Sequence, residues 1–419
     1  MTDLCVLSAD DEAARERLDA AAAGMLALTR TWSGHNTGSQ NTDGLRRFAP
    51  MLAEAFAALE ADIALVEGPG FELIGADGKA TETHTGPIVE ISSRPDAPVQ
   101  VVMSGHYDTV FAPGIFESVT DLGDGRINGP GMADMKGGIC VMLEALKAFE
   151  AGRLKDKLGY RIVLTPDEEI GNFASGESLR RAASSGAVIG MTYEPAMETG
   201  AMAGGRKGSA VFDIVLHGRA AHAGRAKEEG RSAIEAAAEL VLGLEALNNQ
   251  FNGVTFNVGS VEGGSPVNIV PDLAIVRFGA RAPDQQAAEW ATQQVRALFD
   301  RALRRDGIHG HLHGGFYRPP KPRNAAQQAL FDAVHATGRA IGLDIEFVDT
   351  GGVCEGNNIF AAGVPNVDTL GVRGGRIHSS DEFVITESFP ERALLSTLIL
   401  NRLADGRMDG RRIKDLMGR

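Results

Sequence analysis

The chain has 419 residues and sets 41 Lys and Arg against 55 Asp and Glu, a formal charge of −14. That length exceeds the usual single domain, so two domains are expected, each with its own core. The acidic balance argues against a nucleic-acid footprint or an anionic membrane surface as partner.

The opening stretch, MTDLCVLSADDEAARER, lacks the basic start and apolar run of a secretory signal, and no later stretch approaches a membrane span. Cys5, Cys140 and Cys354 are odd in number, widely spaced and in no CxxC pair, which disfavours a disulfide framework or a cysteine zinc cage. A soluble protein of a reducing compartment, the cytoplasm, is the expectation.

Residues 10–30 and 42–62 carry apolar side chains at helical spacing, Leu18, Met25 and Leu28 in the first and Leu45, Phe48, Leu52 and Phe56 in the second. Short β-rich runs follow, GPIVEIS (86–92), VQVVMSGH (99–106) and YRIVLTP (160–166), with a helical stretch at GGICVMLEALKAFEAG. Strand, helix and strand in that order predict an α/β layer. At GAMAGGRKG (200–208) the glycine content suggests a hinge, and a domain boundary is placed near Gly204. Beyond it the pattern reads strand (209–217), helix (231–247), strand (254–262), strand (270–281), helix (284–304) and strand (308–315). That β-α-β-β-α-β order is the split unit of a ferredoxin-like layer. Prolines in RPPKPRN (318–324) end it, and helical then strand-like segments resume. The expected layout is a small domain, 204–316, inserted into a larger α/β domain made of 1–203 and 317–419.

Several strand ends carry groups able to do chemistry. In SGHYDTV, side chains two apart on a strand share a face, so His106 and Asp108 point the same way. One can bind a metal while the other fixes its tautomer, although a polar strand end has the same pattern. Asp134 in NGPGMADMKGG stands before a helix, where it is a ligand or a capping group. LTPDEEIG ends an apolar run on Asp167, Glu168 and Glu169. Adjacent carboxylates repel and raise one another's pKa unless a cation intervenes. If the backbone is extended there, Glu168 and Glu169 face opposite sides, one toward a metal and the other toward a water it can deprotonate. Glu194 in TYEPAM and His378 in GGRIHSSDEF are further candidates that, singly, read as ordinary surface or loop residues. His309, His311 and His313 alternate in HGHLH, a pattern that reads as one face of an exposed lid strand and not as a zinc site.

Taken together, SGHYDTV, GPGMADMKGG, TPDEEIG, YEP, AAHAG, NIVPD with RFGAR, and IHSSDEF occur in one order over almost the whole chain. This series resembles the M20 metallopeptidases, most of all their glutamate carboxypeptidase branch. The resemblance implies a zinc-peptidase α/β catalytic domain with an inserted ferredoxin-like lid and dimerisation domain. It also implies two Zn2+ per chain, with Asp134 bridging, His106 and Glu194 completing one site, and Glu169 and His378 the other. Glu168 would be the general base and Asp108 the partner of His106. His222 of AAHAG matches a histidine that stabilises the tetrahedral intermediate from the neighbouring subunit of a homodimer. Asn268 and Arg281 match positions that bind substrate near its carboxylate. The implied activity is release of a C-terminal amino acid, glutamate among the possibilities, from a small peptide or N-acyl amino acid by metal-activated water. An N-acyl-amino-acid or acetyl-polyamine-type deacylase shares every ligand, and Co2+ or Mn2+ suits the same donors. A catalytically silent binding or scaffolding module is the alternative of another class, and retention of Glu168 with all five ligands speaks against it. One departure stands out. Where the branch carries a third glycine, then Ser or Thr, then Asp, this chain has Val353, Cys354 and Glu355. A side chain at Val353 would narrow the pocket or alter the backbone contact to substrate, so the resemblance alone does not fix glutamate as the residue released.

Overall fold

The run VQVVMSGH forms the strand Val99–His106, buried along almost its whole length because helices cover both faces. Val101 and Met103 point into the larger core, where the helix Gly137–Glu150 lies on the strand and is itself covered by the helices Ala9–Ser33 and Ser388–Ala404. Val102, pointing the other way, meets the helices Gly176–Ser184 and Glu355–Ala361. A strand sandwiched in this manner reads as a continuous apolar run and not as an alternation. The structure, a computed structural model, describes residues 2–418.

The six-stranded sheet has the spatial order 62–66, 88–93, 158–165, 99–106, 189–192, 366–367. Val99–His106 runs parallel to both neighbours, with His106 opposite Thr165 and Ser104 opposite Thr192. Three parallel strands therefore end along one edge, and the loops after His106, Thr165 and Thr192 leave side by side. In open α/β sheets this carboxyl edge is where ligands bind.

Residues 208–318 form a four-stranded antiparallel sheet of order 255–263, 273–282, 208–217, 309–318, with the helices Ala233–Leu247 and Gln285–Leu303 packed on it. Ala274, Val276, Phe278, Ala280 and Ala282 point into their shared core, while Arg277 and Arg281 lie on the outer face. A hairpin of the catalytic part, Phe71–Ile74 and Ala80–Thr83, lays Ile74 on Val215 and Ile275 of that outer face. His309 and His311 are exposed on the edge strand, His309 stacked on His217, and no metal-ligating cluster among the described residues includes them.

Two local expectations fail. The second helix ends at Phe56, and Asp62–Val66 is an outer strand of the main sheet, paired with Ile88–Ser93. There the backbone pairing offered by the sheet edge overrides helical spacing. The glycine-rich stretch is no hinge: Met202–Arg206 is a fully buried strand, parallel to Phe347–Thr350. Its glycines admit neighbours, since a Cβ at Gly204 would stand 2.6 Å from Asp349 Oδ1. Among the described residues no helix is long and apolar enough to cross a membrane.

Candidate active site

His106 closes the central strand, and its side chain is 1 % exposed. Its Nδ1 lies 3.0 Å from the Asp108 carbonyl oxygen and 3.4 Å from Asp108 Oδ1. Both are acceptors, so Nδ1 carries a proton, and Nε2 is the nitrogen that would ligate a cation in the cleft. Nε2 faces Asp134 Oδ1 at 3.0 Å and Glu194 Oε2 at 3.8 Å. On the other side of Asp134, Oδ2 lies 3.2 Å from His378 Nε2, which is also 3.2 Å from Glu169 Oε2. The five residues that the sequence singled out as ligands are thus brought together, with one oxygen of Asp134 turned to each histidine.

These distances suit metal ions. Donor atoms bound at about 2.0–2.2 Å to a tetrahedral ion lie roughly 3.3–3.6 Å apart, and the observed separations bracket that edge. His106, Asp134 and Glu169 converge within 4.8 Å, as do His106, Glu168 and Glu194. The donor set is nitrogen and carboxylate oxygen without thiolate, as first-row divalent cations accept.

The electrostatics describe the same need. Burial pushes Glu169 up to about 7, with the Asp134 charge adding to it. Hydrogen bonds to Asp134 and Glu169 hold His378 at about 11. Burial works against ionised Asp134, but bonds to His106 and His378 win and keep its pKa below the usual range. With protein groups alone, protonated imidazoles offset the carboxylates, and bound cations would displace those protons.

The three consecutive acids are resolved by a turn, not by an extended strand. The strand Leu158–Thr165 ends before them, and the Glu168 carbonyl accepts the Gly171 N–H at 2.9 Å. Asp167 turns away from the cleft, accepting from the Ser175 hydroxyl and from the Ala174 N–H at 2.7 Å. Glu169 goes to His378 and Glu168 to Arg318, whose Nη2 is 2.8 Å from Glu168 Oε1. Asp108 does more than orient His106: its Oδ1 accepts the Glu168 N–H at 3.0 Å and its Oδ2 the Glu169 N–H at 3.1 Å. One buried carboxylate therefore sets the imidazole and the acidic turn together. Burial raises the Glu168 pKa well above the carboxylate range, Arg318 opposes this and Glu194 adds to it. A carboxylate so placed favours proton uptake at neutral pH.

Arg281 lines the same cleft of about 440 Å³, together with Arg206, Arg318, Val353, Met197 and Ile377. Its Nη1 is buried and has no hydrogen-bond partner among the described residues. Burial and the neighbouring Arg318 charge lower its pKa. Arg206, by contrast, is committed to Asp368 through Nε at 2.9 Å and Nη2 at 3.0 Å. His222 and Asn268 are exposed on adjoining loops, where the Ala223 N–H donates to the Asn268 carbonyl, and neither lines this cleft. Glu355 is buried below the sheet edge, where it accepts from the Thr165 hydroxyl, and burial pushes it up to about 8.

Sequence reasoning missed Arg318, Arg206, Asp368 and Glu382. Glu382 Oε1 accepts the Ala133 N–H at 2.9 Å and the Asp134 N–H at 3.1 Å, holding the bridging residue's backbone. The signals were present as charges inside motifs valued for other residues: Arg206 in GGRKG, Arg318 before two prolines, Glu382 in SSDEF.

Comparison with known proteins adds an independent line. The profile described as "Peptidase dimerisation domain" matches residues 204–307. The one described as "Peptidase family M28" matches 88–196, the segment with four of the five candidate ligands. Carboxypeptidase G2 of Pseudomonas sp. (strain RS-16) is 26% identical over 73% of this chain and 74% of its own length. A succinyl-diaminopimelate desuccinylase of Marinobacter nauticus is 28% identical over 63% of this chain and 71% of its own. The crystal structure of a Bacillus subtilis protein described as a dinuclear metal-binding peptidase of the M20 family superimposes with a TM-score of 0.62. It is 16% identical, covering 91% of this chain and 99% of that one.

Proposed function

From the premise that this chain belongs to the M20 family of metallopeptidases and is a hydrolytic enzyme, we propose that its cleft cleaves the amide bond next to a free carboxylate. The products would be a C-terminal amino acid and a shortened peptide, or an acyl group and an amino acid. The observation that carries this reading is Arg281, a half-buried arginine whose Nη1 is buried without a partner among the described residues, in the same cleft as the paired ligand clusters. A buried N–H donor left without an acceptor is costly, and a substrate carboxylate removes the deficit through a two-pronged bond.

Asp134, His106 and Glu194 would hold one cation, and Asp134, Glu169 and His378 the other, zinc being our assignment for both. Bound there, the cations supply polarisation of the carbonyl oxygen and a water of lowered pKa. Glu168 takes a proton from the attacking water and returns it to the leaving amine, so that one carboxylate serves as base and then as acid. Arg281 fixes the substrate's carboxylate and with it the position of the scissile carbonyl. Val353 occupies the wall of the cleft, which favours a leaving residue other than one requiring the open glycine surface there.

The test is a panel of dipeptides, N-acetyl, N-benzoyl and N-succinyl amino acids and folyl-glutamate, each offered as free acid and as amide. Arg281→Ala should raise KM for the acids by about 10- to 100-fold, the loss of a charge-assisted bond worth ~1.5–3 kcal/mol, and leave the amides nearly unchanged. Equal losses for acid and amide would assign Arg281 a structural role and remove the basis of the reading.

We also place His222 in the active site of a second copy. Residues 204–307 match a dimerisation profile, Thr255–Gly263 is an unpaired edge of its sheet, and Ile234 and Leu242 stand exposed on the adjoining helix. Such a surface suits a two-fold dimer. From the partner, His222 would donate to the oxyanion of the tetrahedral intermediate. In a heterodimer of Glu168→Gln with His222→Ala chains, the His222→Ala chain keeps its Glu168 and borrows an intact histidine. Recovery toward half of wild-type turnover is expected. Purified heterodimers no more active than either parent would exclude the arrangement. Cys5, Cys140 and Cys354 are all free thiols, in keeping with a cytoplasmic assignment that cell fractionation can check.

A further inference from the structure

The strand His309–Arg318 pairs with Gly208–His217 in regular register from His309 to Phe316, and then the register shifts. Ala210 faces Phe316, but Ser209 faces Arg318, so Tyr317 is an extra residue in this strand. Side chains alternate along a strand, and without that bulge Arg318 would point to the opposite face of the sheet. With it, Arg318 joins Arg281, which also lies opposite Ser209, in one row on the outer face of the inserted sheet. The two arginines differ in what they meet. Arg281 faces the open cleft with Nη1 unpartnered, whereas Arg318 crosses to the catalytic domain and is only 7 % exposed.

There its guanidinium is used on several sides. Nη2 is 2.8 Å from Glu168 Oε1 and also donates to the Glu168 carbonyl oxygen. Nε and Nη2 donate to Asn172 Oδ1 at 3.2 and 2.9 Å. Asn172 is itself fixed, with its N–H bonded to the Asp167 carbonyl at 2.8 Å and its Nδ2 donating to Ser175 Oγ at 3.0 Å. Nε and Nη2 thus hydrogen-bond the backbone and the downstream anchor of a single turn, and this fixes Nη2 beside the Glu168 carboxylate as its ion-pair partner. A lysine, a point charge on a flexible stem, has no such fixed set of directions.

We propose that Arg318 is a positioning residue, supplied by the inserted domain, that holds the Glu168 carboxylate in place for proton transfer. The inference rests on the assignment of Glu168 as general base. It also ties the base to the placement of the inserted domain, because the residue that aims Glu168 belongs to that domain's last strand. Rotating the domain away withdraws the fork, and the base loses its fixed position.

The test uses the metal-loaded, full-length enzyme and the best-turned-over member of the acid and amide panel. Arg318→Ala should lower kcat about 10²-fold, the order expected when a reacting group is misplaced by about 1 Å. KM should stay within about threefold of wild type for acid and amide alike, and two metal ions per chain should remain. Arg318→Lys, which keeps the charge and is the safer variant for folding, should still lower kcat at least about tenfold, since the fork is lost. In a Glu168→Asp background, whose shorter side chain no longer reaches Arg318, the further substitution Arg318→Ala should cost less than about threefold. Wild-type kcat in Arg318→Lys would overturn the inference. So would a loss confined to KM for carboxylate-ended substrates, or an undiminished loss in the Glu168→Asp background. A Glu168→Gln enzyme of normal activity would instead overturn the base assignment, which keeps the two failures apart.

Discussion

Glu168→Gln is expected to keep its fold and both cations while turnover falls by about 10²–10⁴-fold, the usual contribution of a general base. The amide is nearly isosteric and can still accept from Arg318, so the pairing that holds the turn is largely retained. What it cannot do is take a proton. Glu169→Gln, one residue on, should behave differently, because Glu169 Oε2 lies 3.2 Å from His378 Nε2 among the ligand atoms. That substitution should weaken metal binding first, with activity partly restored by added metal. Kinetics at saturating metal, beside metal analysis of each purified variant, separates the two. If both variants lost metal and activity together, the division of labour between the adjacent carboxylates would be wrong.

Asp134→Ala should deplete both cation positions at once. Its two oxygens face His106 at 3.0 Å and His378 at 3.2 Å, so its carboxylate is placed to serve both positions. Loss of a supporting partner alone typically costs 10- to 100-fold in metal affinity, and loss of a shared ligand should cost at least that much at each position. Competition against a chelator of known affinity measures it. A variant that kept one position at wild-type affinity would show that Asp134 serves only the other. Folding is a separate matter, since the Asp134 N–H is held by Glu382 and is unaffected by truncation of the side chain.

How much of this was legible in the sequence follows from what each residue depends on. His106, Asp134, Glu169, Glu194 and His378 lie in compact motifs that singly read as ordinary strand-end, capping, surface or loop residues, and only the resemblance of the ordered motifs to the M20 metallopeptidases implied them as one ligand set. The β-α-β-β-α-β order of 208–318 was legible from local pattern: alternation along Leu273–Ala282 marks one buried face. The acidic turn was not. Whether Glu168 and Glu169 continue a strand or turn depends on Asp108, sixty residues away in the chain, accepting both of their N–H groups. Arg318 was hidden by a one-residue bulge, since alternation counted from His309 assigns it to the wrong face. The stretch around Gly204 read as flexible because glycine is permissive, yet here the absent side chains admit the Asp349 and Arg323 groups against a buried strand.

The account centres on a pair of cations between His106 and His378, with Glu168 beside them as base. The most direct measurement is a titration of the metal-free protein with Zn2+, following bound metal and hydrolysis of the best panel substrate in the same samples. Activity should be near zero at the start and reach its plateau at two ions per chain. A metal-free preparation already at full activity would contradict the account.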